Sequence, residues 1–248
     1  MIDKRLFTNK IRNTFIIALA IFIILLIAGF IMLKYDVQGE TNLPFNLSKI
    51  SIISTAKEET LKNEEEKWQM NILQNNDIYF YIEKNNNYKK DVVIEKIIFD
   101  NFNIIEENTI GEVKVYKPSE DENVVYKYKE DYEVSSVEYK GSLVTNNKFL
   151  EINNQGGIAE FSIANINLGS HPIDQEQTLS ADGSLLNLIN ANYEDLKFSI
   201  SFDMTIVVEN ENTYKAQIVL DLPVGDITQD GVCTMEDSEL TDVVFKRI

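Results

Sequence analysis

Residues 198–208 read FSISFDMTIVV, with Phe198, Ile200, Phe202 and Met204 at every second position. Side chains along a strand point alternately to its two faces, so this period gathers the four apolar groups on one face, the mark of a half-buried strand. Asn210, Glu211 and Asn212 then predict a turn into 214–222, where Tyr214, Ala216, Ile218 and Leu220 alternate in the same way. Two alternating segments joined by a turn predict an antiparallel pair, and the rest of the fold is read outward from it.

Most of the preceding chain repeats that pattern. Strands are predicted at 50–53, 92–105, 113–116, 124–128, 132–139 and 157–166, all rich in β-branched and aromatic residues. The segments 68–74 and 78–83 flank Asn75, Asn76 and Asp77, which predicts a tight hairpin there. Residues 117–121 (KPSED) form a turn by composition, and 57–67 (KEETLKNEEEK) lacks any apolar period and is expected to be an exposed loop or frayed helical turn. Only 184–191 (SLLNLINA), after the breaker Asp182-Gly183, has a helical pattern. About ten strands with one short helix predict a mainly β domain of antiparallel sheets packed as a jelly-roll-like sandwich. If it has two lobes, they divide near 117–123.

The N-terminal part is of another kind. Residues 15–33, from Phe15 to Leu33, are nineteen consecutive uncharged apolar residues, FIIALAIFIILLIAGFIML. As a helix they extend about 29 Å, enough to cross a hydrocarbon core of about 30 Å. Lys4, Arg5, Lys10 and Arg12 precede the run, opposed only by Asp3, while Lys34, Asp36 and Glu40 follow it. Cations flanking a span are retained in the cytoplasm, so the expected order is a cytoplasmic tail (1–13), a transmembrane helix (14–34), a polar stalk (35–48) containing Pro44, and an extracellular β domain (49–248). A cleaved signal peptide is the competing reading. It calls for a shorter apolar core and a small-x-small cleavage site, and residues 34–39 give only a poor Val-x-Gly match. The uncleaved anchor is therefore expected. The wealth of Ile, Asn, Lys and Glu suggests A/T-rich coding sequence and a low-GC bacterium.

Residues 35–248 hold 18 of the 23 Lys and Arg and 39 of the 40 Asp and Glu, a formal charge of −21. Such a surface repels nucleic acid and anionic lipid unless a basic patch intervenes. The short stretches 88–90 (YKK) and 125–129 (VYKYK) are flanked by Asp91, Glu130 and Asp131 and fit solvated strand or turn positions. Cys233 is the only cysteine, which leaves no intrachain disulfide, and His171 is the only histidine, which rules out sites needing two imidazoles. The expected partners are the lipid bilayer, through Phe15 to Leu33, and another protein of the membrane or cell surface. No cofactor, catalytic residue or metal ligand is assigned.

Three groupings invite chemistry. His171, Cys233 and Arg247 follow one another at spacings similar in outline to the sortases, cysteine transpeptidases that use a thiol nucleophile, an imidazole and an oxyanion-stabilising guanidinium. The family's Thr-Leu-x-Thr-Cys is replaced here by Gln229-Asp230-Gly231-Val232-Cys233, and the alternative is a buried cysteine, a loop histidine and a terminal arginine. Asp226, Thr228, Asp230, Thr234 and Asp237 occupy loop positions 1, 3, 5, 9 and 12 of an EF-hand, with Gly231 at 6. Thr at 3, Asp in place of Glu at 12, and strand-like flanks at 220–223 and 240–245 favour a plain acidic hairpin loop. Tyr126, Tyr128, Tyr132 and Tyr139 would, if exposed, form an aromatic strip for glycan or protein binding. The function read from these features is a non-catalytic binding or structural module at the cell surface, with a sortase-like transpeptidase or a calcium-dependent interaction module as alternatives.

The motifs Asn42-Leu43-Pro44-Phe45, Asn75-Asn76-Asp77-Ile78-Tyr79, Asn154-Gln155-Gly156-Gly157, Leu220-Asp221-Leu222-Pro223-Val224-Gly225 and Val244-Phe245-Lys246-Arg247 together resemble uncharacterised single-pass membrane proteins of low-GC Gram-positive bacteria. That resemblance implies a location and no activity.

Overall fold

The computed structural model describes residues 4–62, 65–121, 123–145, 148–174, 184–209, 212–240 and 242–248. The first element is a helix, α1 (Lys4–Gln38). With no polar stripe between 15 and 33, it has no face that suits water and another that suits a core. Its large apolar side chains from Phe15 to Leu33 are exposed. It is the one described helix long and apolar enough to cross a membrane. Because α1 runs on through 35–38 and the first strand begins at Phe45, the connecting segment is 39–44, shorter than the stalk read from the sequence.

Residues Asn42–Ile248 form a unit of their own, and the 117–123 turn lies within it. One sheet has the strand order β10-β1-β2-β7-β4, built from β1 (Phe45–Lys62), β2 (Trp68–Lys84), β4 (Glu112–Tyr116), β7 (Gly156–Pro172) and β10 (Val232–Asp237). The other has the order β11-β9-β8-β3-β5-β6, from β3 (Ile94–Glu106), β5 (Val137–Gly141), β6 (Glu151–Ile152), β8 (Phe198–Val208), β9 (Asn212–Leu222) and β11 (Lys246–Arg247). All described pairings are antiparallel except β5 with β6. Three single-turn helices complete the unit, α2 (Ser184–Asn187), α3 (Tyr193–Leu196) and α4 (Ile227–Asp230).

The sheets pack face to face, as the alternation in 198–208 requires. Phe80 and Phe161 from one sheet meet Phe99 and Phe202 from the other, with ring centroids 4.7 Å apart for Phe80–Phe99, 5.0 Å for Phe99–Phe161 and 5.3 Å for Phe161–Phe202. These rings are the centre of the main core. The domain is thus mainly β and sandwich-like. A second, smaller core lies further along β1, β2 and β7, where Ala56, Met70, Ile72 and Leu168 pack with Leu185, Leu186, Leu196 and Ile227 of the helical turns.

Between the two cores, on the same face of the sheet, lie Ser54, Gln74, Asn76 and Asn165, all fully buried. Ser54 Oγ donates to Asn76 Oδ1 at 2.7 Å and accepts from the Val224 N–H at 3.0 Å, while Asn76 Nδ2 donates to the Ile163 carbonyl at 2.9 Å. Asn165 Nδ2 donates to the Ile110 carbonyl at 3.0 Å. Gln74 differs: among the described residues neither its Oε1 nor its Nε2 has a hydrogen-bond partner.

Several expectations are corrected. Residues 75–77 are not a hairpin turn, since β2 runs unbroken from Trp68 to Lys84 and seats Asn75 and Asn76 inside the protein. Residues 57–62 are strand, the end of β1, because they pair with Trp68 to Leu73 of β2 whatever their side-chain charge. The helix read over 184–191 is one helical turn, 184–187, followed by a hydrogen-bonded turn at 188–190. Residues 124–128 hold a single bridge, Asp121 to Val124, and 242–245 are outside any strand. The breaker Asp182-Gly183 and the turn residues Asn210 and Glu211 lie outside the described residues.

Candidate functional site

The sequence-derived candidates do not assemble. His171 pairs with Met70, and Met70 with Thr60 of β1, whereas Cys233 pairs with Ser54 of β1. Six residues of β1 therefore separate the two rows, about 20 Å at 3.3 Å per residue, and β7 and β10 stand three strand spacings apart. Arg247 is in the other sheet, paired with Tyr214. Cys233 packs beside the smaller core, and burial, reinforced by Asp230 and Asp226, raises its thiol pKa, which disfavours the nucleophilic thiolate.

The acidic loop is likewise spread out. Asp226 caps α4, accepting from the Thr228 N–H at 3.0 Å and from Gln229 Nε2 at 2.7 Å, with the Thr228 hydroxyl also on it. Asp237 lies at the far end of β10 opposite Ile50, so a helical turn and an extended strand separate the positions that an EF-hand would bring round one ion. Among the described residues no group of three or more His, Cys, Asp or Glu is arranged to hold a metal. In the basic stretch 125–129 Lys127 is balanced by Asp121 at 3.0 Å, and beside 88–90 Asp91 engages Lys84 at 2.6 Å.

The tyrosines give the one convergent constellation, though not as an exposed strip. Tyr126 is 5% exposed and Tyr139 3%. The outer face of the five-stranded sheet carries Asp77 and Tyr79 of β2 and Glu160 and Ser162 of β7, and the segment following β4 brings Tyr126 and Tyr128 against it. Asp77 Oδ1 accepts from Ser162 Oγ at 2.7 Å, from Asn75 Nδ2 at 3.0 Å and from the Tyr128 hydroxyl at 3.4 Å. Tyr139 reaches over from β5: its hydroxyl donates to the Glu160 carbonyl at 2.8 Å and accepts from the Glu160 N–H at 3.2 Å, which satisfies the edge of β7 where β4 does not extend. The Tyr126 hydroxyl, within the field of Glu160 and Asp77, has no hydrogen-bond partner among the described residues.

Electrostatically the cluster favours neutral groups. Burial, and then the carboxylates, push the Tyr79, Tyr126 and Tyr128 phenols far above their ordinary range. Burial first and Asp77 second raise the Glu160 pKa. These are good conditions for holding a proton at Glu160 and poor ones for phenolate chemistry. Beside the cluster a groove of about 610 Å³ opens between Tyr116, Tyr128, Lys114 and Glu133. Tyr116 and Tyr128 form its wall edge to face at 5.2 Å, and Lys114 is held by Glu133 at 2.8 Å.

A pH dependence follows. Glu160 binds its proton more tightly folded than unfolded, so the stability linked to it is present at low pH and declines as pH rises past the ordinary carboxylate range through the folded value. Glu160→Gln removes that slope. Urea denaturation at pH 4 and pH 7 should find the variant close to the parent at the lower pH and more stable at the higher one; equal shifts at both would discount the burial of Glu160.

Asp77 and Tyr79 are hidden from a sequence reading that places a turn at 75–77, and Glu160 and Ser162 are polar positions of the expected strand 157–166 that nothing local singles out. Comparison with protein-family models, with curated proteins and with solved structures found no match.

Proposed function

We propose that this chain is a membrane-tethered protein whose β-sandwich lies outside the cell and acts as a non-catalytic binding or structural module. The observation that supports the tether is α1: nineteen apolar residues on every side of a helix, with their large side chains exposed, suit the hydrocarbon of a bilayer. The four cations ahead of the span support a cytoplasmic N-terminus. The module reading is supported by a rigid scaffold that presents a groove and a sheet edge, while His171, Cys233 and Arg247 stay apart.

Protease added to intact protoplasts of a Gram-positive host expressing the full chain should digest the sandwich and leave a small membrane-bound fragment containing α1. Complete protection until the membrane is permeabilised would overturn the orientation. Recovery of the sandwich in the medium, free of α1, would favour the cleaved-signal reading.

A further inference from the structure

Strand β10 ends the five-stranded sheet, pairing with β1 from Ile50↔Asp237 to Thr55↔Val232 without a bulge. The Ala56 N–H donates to the Gly231 carbonyl directly opposite it in this register, at 3.0 Å. In an antiparallel ladder, directly bonded pairs alternate with unbonded ones, so Cys233, Met235 and Asp237 turn their backbone groups to β1. Val232, Thr234 and Glu236 therefore turn their N–H and C=O groups outward. Among the described residues no strand pairs with that side, and β10 is exposed except for the half-buried Cys233.

Sheet edges are ordinarily blunted by charged side chains, above all lysine, by proline or by a bulge; β10 has no lysine, proline or bulge, and its own charges, Glu236 and Asp237, stand at one end of it. Its charge is all of one sign. Asp230 precedes it, Glu236 and Asp237 end it, Glu239 follows, and no Lys or Arg occurs between Lys215 and Lys246. The nearest cation, Lys49, is already engaged with Glu236 at 3.0 Å. A second copy of the chain is a poor occupant: an antiparallel pair of β10 strands centred on Thr234 places Asp230 of each copy opposite Ser238 of the other, between Asp237 and Glu239, with no cation on either strand, and each domain carries about −21.

We infer that the outer edge of β10 is a docking site for an extended, lysine- or arginine-rich peptide segment of another protein, which adds as a further strand by backbone hydrogen bonds at Val232, Thr234 and Glu236. This rests on the module reading above and gives it a surface and a partner chemistry. Strand addition takes its affinity from the backbone, and the acidic ends supply selection for a basic segment and a faster encounter.

The test uses the full chain in neutral detergent micelles and a fluorescein-labelled probe of sequence Lys-Thr-Lys-Val-Lys-Thr-Lys, read by fluorescence anisotropy. Saturable binding is expected, with at least a tenfold loss when alternate probe amides are N-methylated, and none for the probe with Glu in place of Lys. Thr234→Pro removes an outward N–H and no bond to β1, a position at which an edge strand accepts proline, and should weaken binding at least tenfold while the thermal midpoint holds. No binding, or equal binding of methylated and unmethylated probes, would overturn the inference, the second result meaning attraction to diffuse charge alone. If Thr234→Pro disturbs the fold, the methylated probe still decides the matter on the unaltered protein. The assay is blind to membrane sidedness, so its failure is distinct from failure of the protoplast experiment.

Discussion

Phe161→Ala should lower the stability of the sandwich by about 3–5 kcal/mol, the cost of emptying a large buried aromatic site that its neighbours cannot refill. Phe161 is fully buried and contacts Phe80, Phe99, Phe102 and Phe202, so it touches rings from both sheets. Truncation therefore opens a void at the sheet-to-sheet contact itself. Urea unfolding followed by Trp68 fluorescence measures the loss, and Phe161→Leu, which keeps much of the volume, should cost clearly less. A cost for Phe161→Ala below about 1 kcal/mol would mean that the two sheets do not close on these rings as described.

The second large effect has opposite signs at two positions of one strand. Asn76→Leu should destabilise by about 2–3 kcal/mol, because it strips the Ser54 hydroxyl of its acceptor and the Ile163 carbonyl of a donor in a fully buried place. Gln74→Met should stabilise by about 1–3 kcal/mol, since it replaces an amide that is buried without partners by an apolar chain of similar length. Both are read from the same denaturation curves. A loss of stability in Gln74→Met would show that the amide is engaged in solution.

These residues also mark where reading the sequence succeeds and fails. The hairpin of β8 and β9 was legible because a single face is buried along its length, and burial on one face leaves a period of two. The middle of β2 was not. Asn and Asp have side chains suited to turns, and nothing local tells that Asn76 will instead bond Ser54 on β1 and Ile163 on β7, residues brought to it by pairing. Residues 57–62 failed for a related reason: backbone pairing with β2 makes them strand, and pairing leaves no trace in charge. The tyrosine cluster was half legible. Tyr126, Tyr128 and Tyr139 stand out in the sequence, while Tyr132 lies apart against Lys127, and the burial and carboxylate neighbours of the three depend on β2 being one unbroken strand.

The length of β1 has a mechanical consequence. The chain leaves α1 and, after a few residues, enters β1, which is bonded along its whole length to β2 on one side and over six residues to β10 on the other. A pull applied at the N-terminal end of β1 and directed along the strand would load these ladders in shear, many bonds at once, instead of unzipping them one at a time. A partner strand held at the edge of β10 would complete the load path from membrane to ligand across a single intervening ladder, that of β10 with β1. The architecture suits an anchor that must hold under tension.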